Sequence, residues 1–170
     1  PTLKFHSDAV IALTGAKTSA DLDGQAVEFW QPIHVKAGQI LTLGQTEDGC
    51  RSYMAVRNGL DVPEYLGSRS TFSLGHFGGH AGRTLKAGDL LKMVSESNTD
   101  MPVAIQEPQG LDETFIPSYS RHWKIGVLSG PHGAPDFFKE DYIQEFFASE
   151  WKVHFNSNRF FLVCDKMNPN

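Results

Sequence analysis

Two neighbouring stretches, Gly67-Ser-Arg-Ser-Thr-Phe72 and Gly75-His-Phe-Gly-Gly-His-Ala-Gly-Arg83, hold the residue types with the clearest chemical capacity. Glycines let a backbone approach a ligand closely, and amides exposed beside Arg69 and Arg83 favour an anion. Between Gly49 and Lys92, six Lys and Arg stand against three acids, a local charge of +3 in a chain whose total is −5. The same stretch does not read as a nucleotide site. It lacks the Gly-x-Gly-x-x-Gly order between strand and helix, and it lacks the Gly-Lys-Ser/Thr ending of a phosphate loop. Metal chemistry is not indicated either. His76 and His80 are four apart, but Gly78 and Gly79 between them break the helix that would align them. His122, His132 and His154 are scattered, and neither Cys50 nor Cys164 has a paired ligand spacing. No Gly-x-Ser-x-Gly occurs for nucleophilic catalysis. Lys92 in Leu91-Lys-Met93 is expected inside a strand rather than at a hairpin tip, which argues against a biotinylated lysine.

Two later stretches add polar groups. Ser129-Gly-Pro-His-Gly-Ala-Pro-Asp136 joins an expected strand to an expected helix, so amides at the helix start, near His132, could face a carboxylate. Asn156-Ser-Asn-Arg159 gathers two amides, a hydroxyl and a guanidinium just past a strand, a donor density suited to a planar carboxyl or ureido group.

The elements that would position these groups are mostly β. Thr2–His6, Ala9–Thr14, Ala26–Trp30, Gln39–Leu43 and Arg51–Val56 are short and rich in β-branched or aromatic residues, with turn signals between them. Asp23-Gly24 is a strong hairpin signal. Val35-Lys-Ala-Gly-Gln-Ile-Leu-Thr-Leu43 returns as Leu85-Lys-Ala-Gly-Asp-Leu-Leu-Lys-Met93, each copy placing Gly at a tight turn before an expected buried strand. Two copies are local turn chemistry, not a solenoid. Residues 96–118, with three prolines and few apolar residues, read as a linker between a first lobe, 1–95, and a partial second one, 119–170. In the latter, His122–Leu128 reads as a strand, 136–148 as a helix with Asp136 as N-cap, and Trp151–Phe155 as another strand. The 170 residues, 40% of them apolar, can bury a core. No apolar run nears the roughly 18 residues of a membrane span. The mildly acidic balance argues against a general nucleic-acid binder. Two cysteines are too few for a disulfide scaffold, so the expected setting is reducing and cytoplasmic. The chain opens on Pro1 within a strand-like run, as a piece of a longer protein would.

Arg51-Ser-Tyr-Met-Ala-Val-Arg-Asn-Gly-Leu-Asp-Val-Pro63, Leu66-Gly-Ser-Arg-Ser-Thr-Phe72, Gly78-Gly-His-Ala-Gly-Arg83, Gly88-Asp-Leu90, Gly130-Pro-His-Gly-Ala-Pro-Asp-Phe-Phe138 and Trp151-Lys-Val-His-Phe-Asn-Ser-Asn-Arg159 occur in this order. Together they resemble the carboxyltransferase domain of urea carboxylase (urea amidolyase), shared with one component of bacterial 5-oxoprolinase, the allophanate hydrolase subunit 2 family. The resemblance runs from about Pro1 to Arg159. It implies a cyclophilin-like β-barrel, here one lobe plus part of a second. It also implies transfer of a carboxyl group from carboxybiotin to urea, giving allophanate. The biotin would be carried by another domain, and ATP would be used only by a partner biotin carboxylase domain.

On that resemblance, Arg69, Arg83 and Asn156 are the expected catalytic groups. Ser68, Ser70, Gly78, Gly79, His132, Asn158 and Arg159 are the expected substrate contacts, and no metal is called for. Fixed donors would stabilise the ureido oxygen of biotin and the developing carboxylate. The expected partners are the biotin carboxylase, the biotin carrier and the remaining carboxyltransferase segments, together with a small urea or amide substrate. The family has a further segment ahead of Pro1. Past Arg159 it continues in a Gly-x-Arg-Leu pattern, where this chain has Phe160-Phe-Leu-Val-Cys164. Catalysis is therefore expected to need more than this chain. Two alternatives remain open: a part of an ATP-dependent 5-oxoprolinase, and a non-catalytic cyclophilin-like binding module.

Overall fold

A computed structural model describes residues 1–94, 108–157 and 162–167. The chain divides into two compact units, Pro1–Trp123 and Lys124–Asn170. In the first, period-2 burial picks out the strands: Ile11, Leu13 and Gly15 of one, Thr18, Ala20 and Leu22 of the next, and Ile33 and Val35 of a third all turn inward. The strands are β1 (Thr2–Lys4), β2 (Ala9–Gly15), β3 (Thr18–Leu22), β4 (Gln25–Ala26), β5 (Pro32–Val35), β6 (Ile40–Thr46) and β7 (Ser52–Val56). They form two antiparallel sheets, ordered β1-β6-β3-β4 and β5-β2-β7. Both sheets are open among the described residues; no barrel closes. Phe5, Ile11, Leu13, Ala20, Leu22, Ile33, Val35 and Leu41 form one core drawn from both, with Leu41 fully buried. Burial of the Phe, Ile, Leu and Val side chains among them stabilises the fold by about 1.5–3 kcal/mol each.

The Asp23-Gly24 hairpin joins β3 to β4, and both residues take the left-handed backbone (φ 52° and 82°) that a two-residue turn between twisted strands requires. The Lys-Ala-Gly repeat folds twice into one turn. Gln39 N donates to Lys36 O and Asp89 N to Lys86 O, each at 3.1 Å, with Gly38 and Gly88 at φ 95° and 92°. In each copy the fourth side chain accepts from the first amide, Gln39 Oε1 from Lys36 N and Asp89 Oδ2 from Lys86 N, both at 2.8 Å.

Several expected elements differ. The strand expected over Ala26–Trp30 stops at Ala26, and Trp30 turns the chain at φ 66°. A new strand then starts at Pro32; proline is tolerated there because β5 is an edge strand and Pro32 opens it. The second copy of the repeat leads into no strand beyond a single bridge, Leu60 to Met93, and Leu90 is exposed. His122–Leu128 joins no β-ladder among the described residues, and an apolar run becomes a strand only when a partner takes its amides and carbonyls. In the second unit the helix, α1, is Glu140–Ala148, four residues later than expected. Its N-cap is Lys139, not Asp136. The chain before it is turned, with Phe137 N donating to Gly133 O at 3.0 Å and a cis bond between Ala134 and Pro135. Two strands, β8 (Trp151–Val153) and β9 (Cys164–Lys166), pair antiparallel beside it in sequence. No described helix is long and apolar enough to cross a membrane.

Candidate functional site

The glycine-rich stretch belongs to one long excursion that leaves the sheet after β7. Asn58 and Gly59, at φ 64° and 82°, turn the chain out. Its two ends are then zipped together: Asp61 N donates to Lys92 O at 2.8 Å and Val94 N to Gly59 O at 3.1 Å. Lys92 Nζ pairs with Asp61 at 2.9 Å, and the ammonium holds that carboxyl below its ordinary value.

Within the excursion, Leu66 and Gly67 form a tight turn at φ 52° and 72°, closed by Tyr65 N to Ser68 O at 2.8 Å and Ser68 N to Tyr65 O at 3.1 Å. Arg69 follows, exposed, its Nη1 donating to Val62 O at 3.2 Å. Ser68 Oγ accepts from Ser70 N at 3.1 Å. Phe72 and Phe77 then pair through their backbones, with ring centroids 5.1 Å apart, and Tyr65 lies 5.1 Å from Phe77 on the ring's other contact. This small aromatic cluster folds the chain back on itself, so that Gly78 and Gly79 lie against Ser70 and Thr71. A Cβ on Gly78 would overlap Ser70 O, one on Gly79 the Thr71 hydroxyl, and one on Gly82 the His76 carbonyl. Those contacts and the positive φ of all three positions make glycine a steric requirement here.

Asp89 locks the end of the excursion. Arg83 donates to it twice, Nη1 to Oδ2 at 2.7 Å and Nη2 to Oδ1 at 2.8 Å, and Nη1 also reaches Thr84 O at 2.9 Å. His80 Nε2 stands 3.7 Å from Asp89 Oδ1. The Asp89 side chain is 15% exposed. The Arg83 guanidinium, with the Lys86 amide second, holds its carboxyl well below the usual carboxylate range. The same contact raises Arg83.

The structure therefore brings Ser68, Arg69, Ser70, Gly78, Gly79 and Arg83 onto one folded loop. Arg83 reaches that loop with its charge balanced by Asp89, so it serves as a fixed donor and a brace. His132 and Asn156 belong to the second unit. His132 packs edge-on against Phe137 at 4.6 Å, and Asn156 N donates to His154 Nδ1 at 3.1 Å in a turn closed by Ser157 N to His154 O at 3.1 Å. The expected anion cradle of helix-start amides near His132 is absent, because α1 begins at Glu140. Asn158 and Arg159 lie outside the described residues. Among the described residues no group of three or more His, Cys, Asp or Glu could hold a metal, and Cys50 and Cys164 are exposed thiols. The association of His80 with Asp89 is not visible in the motifs. Its one sequence signal is the Lys-Ala-Gly repeat, whose fourth residue changes from an amide to a carboxylate.

Comparison with known proteins bears on the family and the fold. The carboxyltransferase domain family, subdomain A and B, matches residues 1–164. Urea amidolyase of Saccharomyces cerevisiae is 48% identical over 162 residues, 94% of this chain and 9% of that protein. A component of the 5-oxoprolinase of Escherichia coli is 36% identical over 160 residues, 93% of this chain and 47% of that one. The crystal structure of the Kluyveromyces lactis urea amidolyase superposes with a TM-score of 0.85 at 46% identity, over 99% of this chain and 10% of that one.

Proposed function

Because the chain belongs to the carboxyltransferase domain family, we propose that it helps transfer a carboxyl group from carboxybiotin to urea, giving allophanate. The chain spans about a tenth of the amidolyases it matches, so the reaction is assigned to the native protein that carries it. Biotin carboxylase, a biotin carrier and further carboxyltransferase segments are its partners, with ATP consumed at the carboxylase alone.

The observation that carries this reading is the loop from Leu66 to Arg83. Its backbone amides are set by left-handed turns and its cation is exposed at Arg69. Carboxybiotin presents a carboxylate and a ureido oxygen, both acceptors, and a site of amide, hydroxyl and guanidinium donors matches them. In this assignment Arg69 holds the carboxylate. The amides of Gly78 and Gly79 and the hydroxyls of Ser68 and Ser70 approach the ureido and urea oxygens. Arg83 keeps the loop in shape through Asp89 and offers its remaining N–H edge.

The test is allophanate formation from free carboxybiotin and urea by the native protein. Transfer that disappears in Arg69→Ala supports the assignment, and absence of any transfer by the unaltered protein defeats it. A second reading, ATP-driven opening of 5-oxoproline, is favoured by the 36% identity to a 5-oxoprolinase component. Turnover of 5-oxoproline without turnover of urea would select it.

A further inference from the structure

The carboxyl-transfer reading leaves one task without a residue: a proton must leave the urea nitrogen and another must reach the biotin nitrogen. Resting on that reading, we propose that His80 carries this proton, with Asp89 holding its imidazole in place.

The backbone around His80 is left-handed on both sides, at glycines that adopt that region freely and at one alanine that does not. Gly79 and Ala81 flank it at φ 53° and 56°, and Gly82 follows at 64°. A left-handed alanine persists only where its surroundings dictate it, and such strain gathers at functional sites. Here the surroundings are the close contacts of Gly79 with Thr71 and of Gly82 with His76. The result is a fixed perch for one side chain. His80 is half-buried, 31% exposed at the side chain, whereas His76 four residues earlier is exposed.

Asp89 sets how the ring is presented. Its Oδ1 is 3.7 Å from Nε2 of His80, an ion-pair distance longer than a hydrogen bond, which turns the Nε2 edge toward the carboxylate; in this proposal Nδ1 is the nitrogen that meets the reacting molecule. The carboxylate cannot swing away, because two bonds from Arg83 and one from the Lys86 amide fix both oxygens. The charged groups facing His80 are thus Asp89 and, on the same carboxylate, Arg83. Arg83 cannot give up its proton, and Asp89, ionised by its three donors, only accepts. Of the three, only the imidazole has a nitrogen that can accept a proton and hand it back.

The step balances without any further reactant. The N–C bond of the carboxyl donor breaks, and its electron pair stays on the ureido nitrogen. The urea nitrogen forms the new N–C bond with the carboxyl carbon and releases one proton to His80 Nδ1. His80 returns that proton to the ureido nitrogen, so nothing is oxidised or reduced and no net proton is consumed.

The experiment measures urea-dependent carboxyl transfer in the native protein with His80→Ala, His80→Gln and Asp89→Asn. In His80→Ala, kcat is expected to fall about 100-fold while KM for urea stays within about threefold, and added imidazole restores part of the rate. His80→Gln, which keeps the side-chain volume, falls as far and is not rescued. Nitrogen NMR of the unaltered protein is expected to show His80 with its proton on Nε2, and Asp89→Asn to mix the two tautomers. Transfer within about threefold of the parent in both His80 variants overturns the proposal, as does an Nδ1–H tautomer or a lost rate in His80→Ala that imidazole does not restore. If the unaltered protein transfers nothing to urea, the functional reading itself has failed. A loss confined to His80 variants, or its absence, bears on this proposal alone.

Discussion

Arg83 and Asp89 meet edge to edge, two parallel hydrogen bonds of 2.7 and 2.8 Å joining the guanidinium to both carboxylate oxygens. Such a pair is stronger and more directional than a single charged contact. It ties the end of the glycine-rich loop to the second Lys-Ala-Gly turn, and it does so without a strand.

The pair makes stability depend on acid. The Asp89 carboxyl lies below its ordinary value of 3.8 in the folded protein. A carboxyl lowered by folding contributes stability that is present above the unfolded value and lost as pH falls from there through the folded one. Unfolding by urea from about pH 6 down to about pH 2 should therefore show a steeper acid decline for the parent than for Asp89→Asn, which starts lower and lacks that increment. Parallel profiles would remove the pair as the cause.

Glycine positions should separate into two classes. Gly79→Ala must bear a left-handed backbone and an overlap with the Thr71 hydroxyl, whereas Gly88→Ala, at φ 92°, meets nothing within 4 Å. Both are expected to destabilise, Gly79→Ala by about 1–3 kcal/mol more. Thermal unfolding of the two variants decides this, and equal costs would discard the overlap.

Core and surface leucines give a further contrast. Leu41 is 0% exposed between the sheets and Leu90 is 74% exposed. Leu41→Ala is expected to cost about 2–5 kcal/mol and Leu90→Ala less than about 0.5 kcal/mol. A large loss at Leu90 would mean that the native protein covers it.

Arg69 is the exposed cation of the loop, and its role in the proposed reaction is direct. Losing one charge-assisted bond of about 1.5–3 kcal/mol corresponds to roughly a 10- to 150-fold drop in kcat/KM for the carboxyl donor in Arg69→Ala. Arg69→Lys keeps the charge but not the fork and should recover only part of it. Unchanged kinetics in both would move the anion contact elsewhere.

The β character of the first unit was legible because alternation and turn residues speak locally: Ile11 and Leu13 mark an inward face, and Asp23-Gly24 can hardly be anything but a hairpin turn. Elements that depend on a distant partner were not. β5, which opens on Pro32, is absent from the expected strands because only its place at a sheet edge makes a proline there tolerable, and His122–Leu128 has strand residues with no described strand beside it. The onset of α1 was misplaced because Pro135-Asp136 has the residue types of a helix start, yet the chain there is turned by the bond from Phe137 N to Gly133 O. At the candidate site the glycines and arginines stood out by type. The partner of Arg83 did not, since Asp89 reaches it only through the folding of the turn between them.

The zipped base of the excursion, Gly59 and Asp61 against Val94 and Lys92, separates the loop from the sheet that bears it. Where a loop enters and leaves through hydrogen-bonded neighbours, added length has little entropic cost, and the scaffold does not register what lies beyond the knot. The stretch between is thus a cassette. Insertions at its Leu66-Gly67 tip, or its exchange for a relative's loop, should leave the two sheets untouched and alter only what the protein recognises.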